Sequence, residues 1–276
     1  MNTQEQIAAA DLLVSTGKIE EAMRVYDDLS RMEHLTAQEK GSVLFGLGAC
    51  HLVQNDYENA CSRLKESWEL LLSALGAKDP STTRTMVLLS RSLIAVGSLE
   101  SGMEIGRGAL ENLVELYGPE DAQTATAAFF LSAGAYKFGR LAEAESLTFQ
   151  AMAAWEKNHG HDSLQVATCL DALGKLRDVC GEKREGVRFH RQALDIKLKI
   201  LGDHETTAAS LGHVGVALAE LGDWQEAATL LTRALETFRR IGAAEDAAGT
   251  ALFREKLALC RQMLSKEIRD GQETAH

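Results

Sequence analysis

Residues 181–222 read GEKREGVRFHRQALDIKLKILGDHETTAASLGHVGVALAELG. A glycine opens the stretch and a helix-forming run follows. Gly202-Asp203-His204-Glu205 then breaks the chain, a second run follows, and Gly222 stops it. Apolar residues in each run recur at three- and four-residue intervals, the pattern of a helix with one buried face. The stretch is therefore a helix, a loop and a second helix, and its register recurs along the molecule. A small residue falls at Ala22, Ala60, Gly102, Ala144, Gly186 and Ala227, with spacings of 38, 42, 42, 42 and 41. A turn residue precedes each one: Gly17, Asn55, Gly97, Gly139, Gly181 and Gly222. A second glycine series, Gly76, Gly118, Gly160, Gly202 and Gly242, closes the hairpins. Three interleaved series at one period define a helical repeat array, in which each unit buries its apolar face against its neighbours.

The bulk composition agrees. Of 276 residues, 45% are hydrophobic, 25% charged and 5% aromatic, and there are only two prolines. Alanine, leucine and glutamate fill the interiors and favour helix. No long Val/Ile/Thr run alternates as a strand would. The net charge of −11 comes with no basic stripe of the kind nucleic-acid binding needs, so that class is excluded. The N-terminal Met1-Asn2-Thr3-Gln4-Glu5 lacks the basic and apolar regions of a signal peptide. No apolar run approaches the roughly 18 residues of a membrane span. A cytoplasmic location without membrane contact is expected. The five cysteines, Cys50, Cys61, Cys169, Cys180 and Cys260, form no CxxC pair and read as free thiols on helices.

Six hairpins are expected at residues 1–36, 37–78, 79–120, 121–162, 163–204 and 205–244. A capping helix over 245–268 and a frayed tail over 269–276 follow, all within a single domain. Asp79 is expected to cap the helix that Pro80 begins, and Asp162 to cap a helix over 163–180. Within each hairpin, Ala10, Gly48, Ser90, Ser132, Gly174 and Gly215 of the first helix face the small residues of the second. Small side chains at both sites let antiparallel helices approach near the short end of roughly 8–10 Å. A third set, Ala109, Ala151, Ala193 and Ala234, admits the next repeat. The expected fold is all-α, a right-handed α-solenoid of about six helix hairpins with a C-terminal capping helix.

The residues Leu170, Leu173, Gly174 and Gly181, then Gln192-Ala193-Leu194-Asp195-Ile196-Lys197 and Leu201-Gly202-Asp203-His204, carry a family resemblance. So do Gly139-Arg140-Leu141-Ala142-Glu143-Ala144-Glu145 and Arg233-Ala234-Leu235-Glu236. The pattern resembles tetratricopeptide repeats, in the 42-residue variety of kinesin light chains and many bacterial proteins. The resemblance covers about residues 4–244. It implies the solenoid fold and a protein or peptide partner, while the fold itself hosts many unrelated functions. Where kinesin light chains carry paired asparagines, this chain has Val87-Leu88, Phe129-Phe130, Asp171-Ala172 and Gly212-His213. Their way of holding a cargo backbone does not carry over.

In such arrays the first helices line the concave wall, near their second, fifth, ninth and twelfth places. The twelfth places are Val14, Leu52, Ile94, Tyr136, Asp178 and Ala219. Along that wall Phe45, Arg84, Arg91, Phe129, Tyr136, Asp171, Lys175, Asp178 and His213 form the candidate partner-binding set. Aromatic and arginine side chains are frequent interface anchors, and arginines meet carboxylates or phosphates. His159, His161 and Asp162 are too few to hold zinc and match the family's loop. His190 reads as a core histidine. Gly102, Gly106 and Gly108 follow no strand, so no phosphate loop is expected. No nucleophile stands with a base and an orienting group. The expectation is a non-catalytic scaffold or adaptor that binds a peptide or helix of a partner protein, without cofactor or metal. The alternatives are a ligand-responsive sensor and a self-assembly module that forms a homodimer.

Overall fold

The computed structural model describes residues 2–242 and 249–273, and among them the chain is entirely helical. The described residues form thirteen helices: α1 (Thr3–Ser15), α2 (Ile19–Ser30), α3 (Ala37–Val53), α4 (Tyr57–Leu75), α5 (Pro80–Ala95), α6 (Leu99–Tyr117), α7 (Ala122–Lys137), α8 (Leu141–His159), α9 (Leu164–Val179), α10 (Lys183–Leu201), α11 (Glu205–Leu221), α12 (Trp224–Arg240) and α13 (Thr250–Glu273). Within the two units α1–α2, α3–α4, α5–α6, α9–α10 and α11–α12 pack as hairpins, the all-α arrangement expected. No described helix is long and apolar enough to cross a membrane.

Both turn series work as the sequence requires. Asn55 and the glycines at 17, 97, 139, 181 and 222 all have positive φ, as do Gly76, Gly118, Gly160, Gly202 and Gly242. Helix starts are capped at matching register positions. The Asp79 and Asp121 carboxylates accept from backbone N–H groups two residues on, at 2.8 Å each. Ser163 holds the equivalent place, accepting from the Val166 N–H, and His204 does so for Thr206. The expectation for Asp162 is thus corrected by one residue. Ser163 has the extended backbone of a cap, and Asp162 instead accepts from Lys199 Nζ at 3.1 Å. A capping box between Thr36 and Glu39 opens α3, with each residue bonding the other's backbone N–H.

The chain forms two compact units, Met1–Ala154 and Trp155–His276. In the first, α1, α3, α5 and α7 touch one another in sequence, whereas α2, α4 and α6 make no comparable contact with each other. The first helices therefore form the tighter inner layer of that unit. The small-residue joints are close. Ser90 Oγ donates to the Gly102 carbonyl at 2.7 Å, tying α5 to α6. In the second unit, a β-carbon on Gly186 would lie 3.0 Å from the Gly174 carbonyl.

The second unit ends on α13, which packs against α12 and α11. Phe253 and Cys260 are fully buried there, with Leu257 nearly so. The ring of Phe253 occupies the space above Gly212, where a β-carbon would stand 2.1 Å from a ring atom. The capping helix runs on to Glu273, beyond the expected end at 268. The expected start at 245 and the last three residues of the expected tail lie outside the described residues.

Candidate functional site

In the first unit, three open clefts of about 430, 130 and 200 Å³ follow one another across the first helices. Ile7, Asp11 and Ser42 are shared by the first and second, and Phe45 and Arg84 by the second and third. One end of this trough is acidic and polar, with Asp11 and Glu39. Asp11 is held by the Tyr26 hydroxyl, which donates to it at 2.5 Å. Burial, and then that carboxylate, keep the phenol protonated far above its usual range. Gly46 leaves room for the Tyr26 ring beneath the trough, since a β-carbon there would stand 2.3 Å from it.

The other end is cationic and aromatic. The Arg84 guanidinium carbon lies 5.0 Å from the centre of the Phe45 ring. Arg91, two turns further along α5, lies 4.9 Å from the Phe130 ring. Neither arginine makes an ion pair among the described residues, although Arg107, Arg140 and Arg240 each do. A guanidinium over an aromatic ring keeps N–H donors that a carboxylate can meet. Phe129 sits beside Phe130, with ring centres 6.4 Å apart, and Tyr136 is half-buried near the end of α7. The structure thus pairs Phe45 with Arg84 and Phe130 with Arg91.

Not every wall position is exposed as expected. Leu52, Ile94 and Ala219 are buried, at 3%, 4% and 3% exposure. These twelfth places lie in the last turn of each helix, where neighbouring helices close over them. Ile94 fills the space that glycine leaves at 102 and 134, where β-carbons would come within 2.8 and 2.6 Å of its side chain. Gly212 is likewise covered, by Phe253.

In the second unit, Asp171, Lys175, Asp178 and His213 come together around a cleft of about 580 Å³ between α9 and α11. Its floor is α10. His190 Nδ1 lies 3.0 Å from Asp171 Oδ1, and Nε2 lies 3.3 Å from Asp178 Oδ2. Lys197 Nζ donates to Asp171 at 2.5 Å and to Ser210 Oγ at 2.8 Å, and Lys183 pairs with Glu220. Burial would raise the Asp171 carboxyl, but His190 and Lys197 outweigh it and hold it below the usual carboxylate range. His213 packs edge-on against Phe253, ring centres 5.7 Å apart. Lost hydration, and then the Lys175 ammonium, push its imidazole below the usual value.

His190 is buried as a core residue would be, but it bridges two carboxylates instead of filling apolar space. The repeat register shows how unusual this is. Lys183 stands where the other second helices have Ile19, Tyr57, Leu99, Leu141 and Trp224. His190 stands where they have Tyr26, Leu64, Gly106, Thr148 and Leu231, and Lys197 where they have Leu71, Leu113, Trp155 and Phe238. Asp171 and Asp178 replace Phe45, Val87 and Phe129, and Leu52, Ile94 and Tyr136. The sequence reading missed Lys183 and Lys197. Comparing each repeat with the others in register would have found both. Elsewhere, His161 pairs with Glu156 and Asp162 with Lys199. No group of three or more His, Cys, Asp or Glu side chains among the described residues is arranged so that it could hold a metal ion.

Two sequence profiles described as tetratricopeptide repeat match the chain, at residues 7–66 and 180–240. No curated protein matches it significantly. Several solved structures share the fold. The nearly identical TPR-like repeats of a Podosopora anserina protein named as a kinesin light chain are 19% identical, with a TM-score of 0.62 over 77% of this chain and 100% of that one. The apo form of the quorum sensor NprR from B. thuringiensis is 13% identical, with a TM-score of 0.73 over 96% and 70%. A Rap protein complexed with competence and sporulation factor is 11% identical, with a TM-score of 0.67 over 96% and 86%.

Proposed function

We propose that this chain, a tetratricopeptide-repeat protein of the kinesin-light-chain-like repeat type, is a non-catalytic interaction scaffold that seats a segment of a partner protein on the first helices of its first unit. One observation carries this reading. Arg84 and Arg91 lie on one face of α5, each with its guanidinium over a phenylalanine ring and each without a carboxylate among the described residues, in a chain of net charge −11. A partner side chain that reaches them meets an apolar surface and a charged edge together, the combination found at interface anchors. An acidic residue flanked by apolar ones suits that end of the trough. The Asp11 and Glu39 end suits a basic or amide group, so the segment would bind in one direction only. Phe129 and Tyr136 extend the aromatic end along α7. The proposal includes a single continuous array over residues 1–276. Two stable proteolytic fragments split near residue 154 would count against that part.

The test is affinity capture with the wild type and with Arg84→Ala/Arg91→Ala. A partner held through these side chains should be lost from the double variant while the melting curve is kept. Equal capture by both proteins sinks the assignment.

A second reading has specific support. NprR is described as a quorum sensor, and the Rap protein is bound to a sporulation factor. On this reading a ligand changes the curvature of the array, and a ligand-dependent change in radius of gyration tests it.

A further inference from the structure

The fifth hairpin is built differently from the others, and the difference is concentrated in one place. Five positions that are mostly apolar in the other repeats carry Asp171, Asp178, Lys183, His190 and Lys197. Asp171 and Asp178 on α9 meet Lys183, His190 and Lys197 on α10, and all five line the cleft between α9 and α11. Replacing apolar packing with buried ion pairs seldom stabilises a fold, because each charge must be stripped of water. The side chains of His190 and Lys197 are only 9% and 14% exposed. Helix stacking gains nothing from this substitution that leucine would not supply, so the arrangement points to a ligand.

The sign of that ligand follows from which groups are already satisfied. Asp171 is engaged by His190 and Lys197, Asp178 by His190, and Glu220 by Lys183. Lys175 has no acidic partner among the described residues, and His213 makes a ring contact with Phe253 but no hydrogen bond among them. Asp178 Oδ1 also lacks a hydrogen-bond partner, but it is buried against Gly186 and away from solvent, so the groups left over at the mouth are donors. Val179, Ala209, Val216 and Ala217 supply an apolar wall beside them. We propose that the α9–α11 cleft is a binding site for a small organic carboxylate, its charge held by Lys175 and His213 and its apolar body lying against the Val179–Val216 wall. A single negative charge suits the site better than the two of a phosphate ester, because three carboxylates line the same cleft and like charges repel. The proposal stands apart from the partner surface on the first unit and does not depend on it.

Proton linkage supplies an independent signature. His213 faces Lys175 and Asp171 from α9, His190 and Lys197 from α10, and the Phe253 ring from α13. An anion beside it favours the imidazolium, so binding takes up a proton and strengthens as pH falls through the histidine range, the change extending below the ordinary value of 6.5 because the free imidazole is lowered.

The experiment uses the full chain and three probes of equal length: hexanoate, hexyl phosphate and hexylammonium. Histidine ring resonances are followed by NMR, with His213 assigned through His213→Gln. The expected result is a saturable hexanoate shift of the His213 resonance at millimolar concentration, weaker binding of hexyl phosphate and none of hexylammonium. Lys175→Gln, at an exposed position, should weaken hexanoate by about tenfold, the scale of one charge-assisted hydrogen bond. Any one of three results overturns the proposal: no saturable hexanoate shift, hexylammonium binding as tightly, or unchanged hexanoate affinity in Lys175→Gln. None of these outcomes bears on Arg84 or Arg91.

Discussion

Replacing Gly212 with alanine tests how the last helix is anchored. Alanine is the better helix former, so in an open helix the change would stabilise by about 1 kcal/mol. Here the new β-carbon would lie 2.1, 2.2 and 2.6 Å from three atoms of the Phe253 ring, far inside contact distance. The ring cannot simply slide. Gly249 approaches it from another side, where a β-carbon would stand 3.0 Å away, and His213 meets its edge. Phe253 must therefore leave its pocket, giving up about 1.5–3 kcal/mol of burial. Set against the helix-propensity gain, the expected net loss is about 0.5–2 kcal/mol. Repeat arrays need not unfold in one step, so the readout is local: amide hydrogen exchange in α11 and α13. Exchange in α13 should accelerate in Gly212→Ala. In a Phe253→Ala background the same substitution has nothing to displace, and α11 should become better protected. Loss of protection in α11 by the same amount in both backgrounds would refute the account.

Three further outcomes are expected. Ala193 is fully buried where α10 meets its neighbours, so Ala193→Leu should overpack the joint by about 1–3 kcal/mol and lower the melting temperature by several degrees; an unchanged melt would contradict the register. The depressed Asp171 carboxyl contributes stability that is complete above its unfolded value near 3.8 and is lost as pH falls through the lower folded value. Asp171→Asn should therefore flatten the acid limb of the stability curve below that pH, and an unchanged limb would show that its partners do not hold it. Cys180 is exposed, while burial, followed by a nearby carboxylate, pushes the thiols of Cys50 and Cys169 up to about 11 and about 12. Timed iodoacetamide labelling read by mass spectrometry should modify Cys180 first and those two last, and early labelling of Cys169 would contradict its burial.

Much of the fold is legible in the chain because its signals are local. A glycine that must adopt positive φ, an aspartate two residues before the N–H it caps, and an alanine where two helices touch are each demanded by backbone geometry within one hairpin. The Ser163 cap was misplaced by one residue because Asp162 and Ser163 are both good capping residues, and their backbone conformations decide between them. The candidate site was legible only in part. The wall register located Arg84 and Asp171, but it counted Leu52 and Ile94 as surface although neighbouring helices bury them.

The sequence by itself determined the period, the hairpins, the turns and the small-residue joints, since these depend on residues fewer than about 50 positions apart and recur often enough to be recognised. The tertiary structure alone decided which charges meet. Whether His190 bridges Asp171 and Asp178, whether Lys197 reaches Ser210, and whether Arg91 lies on Phe130 or pairs with an acid all depend on side-chain directions across separate helices. A Coulomb or stacking contact is won or lost over a few ångströms, and periodicity does not fix distances that fine.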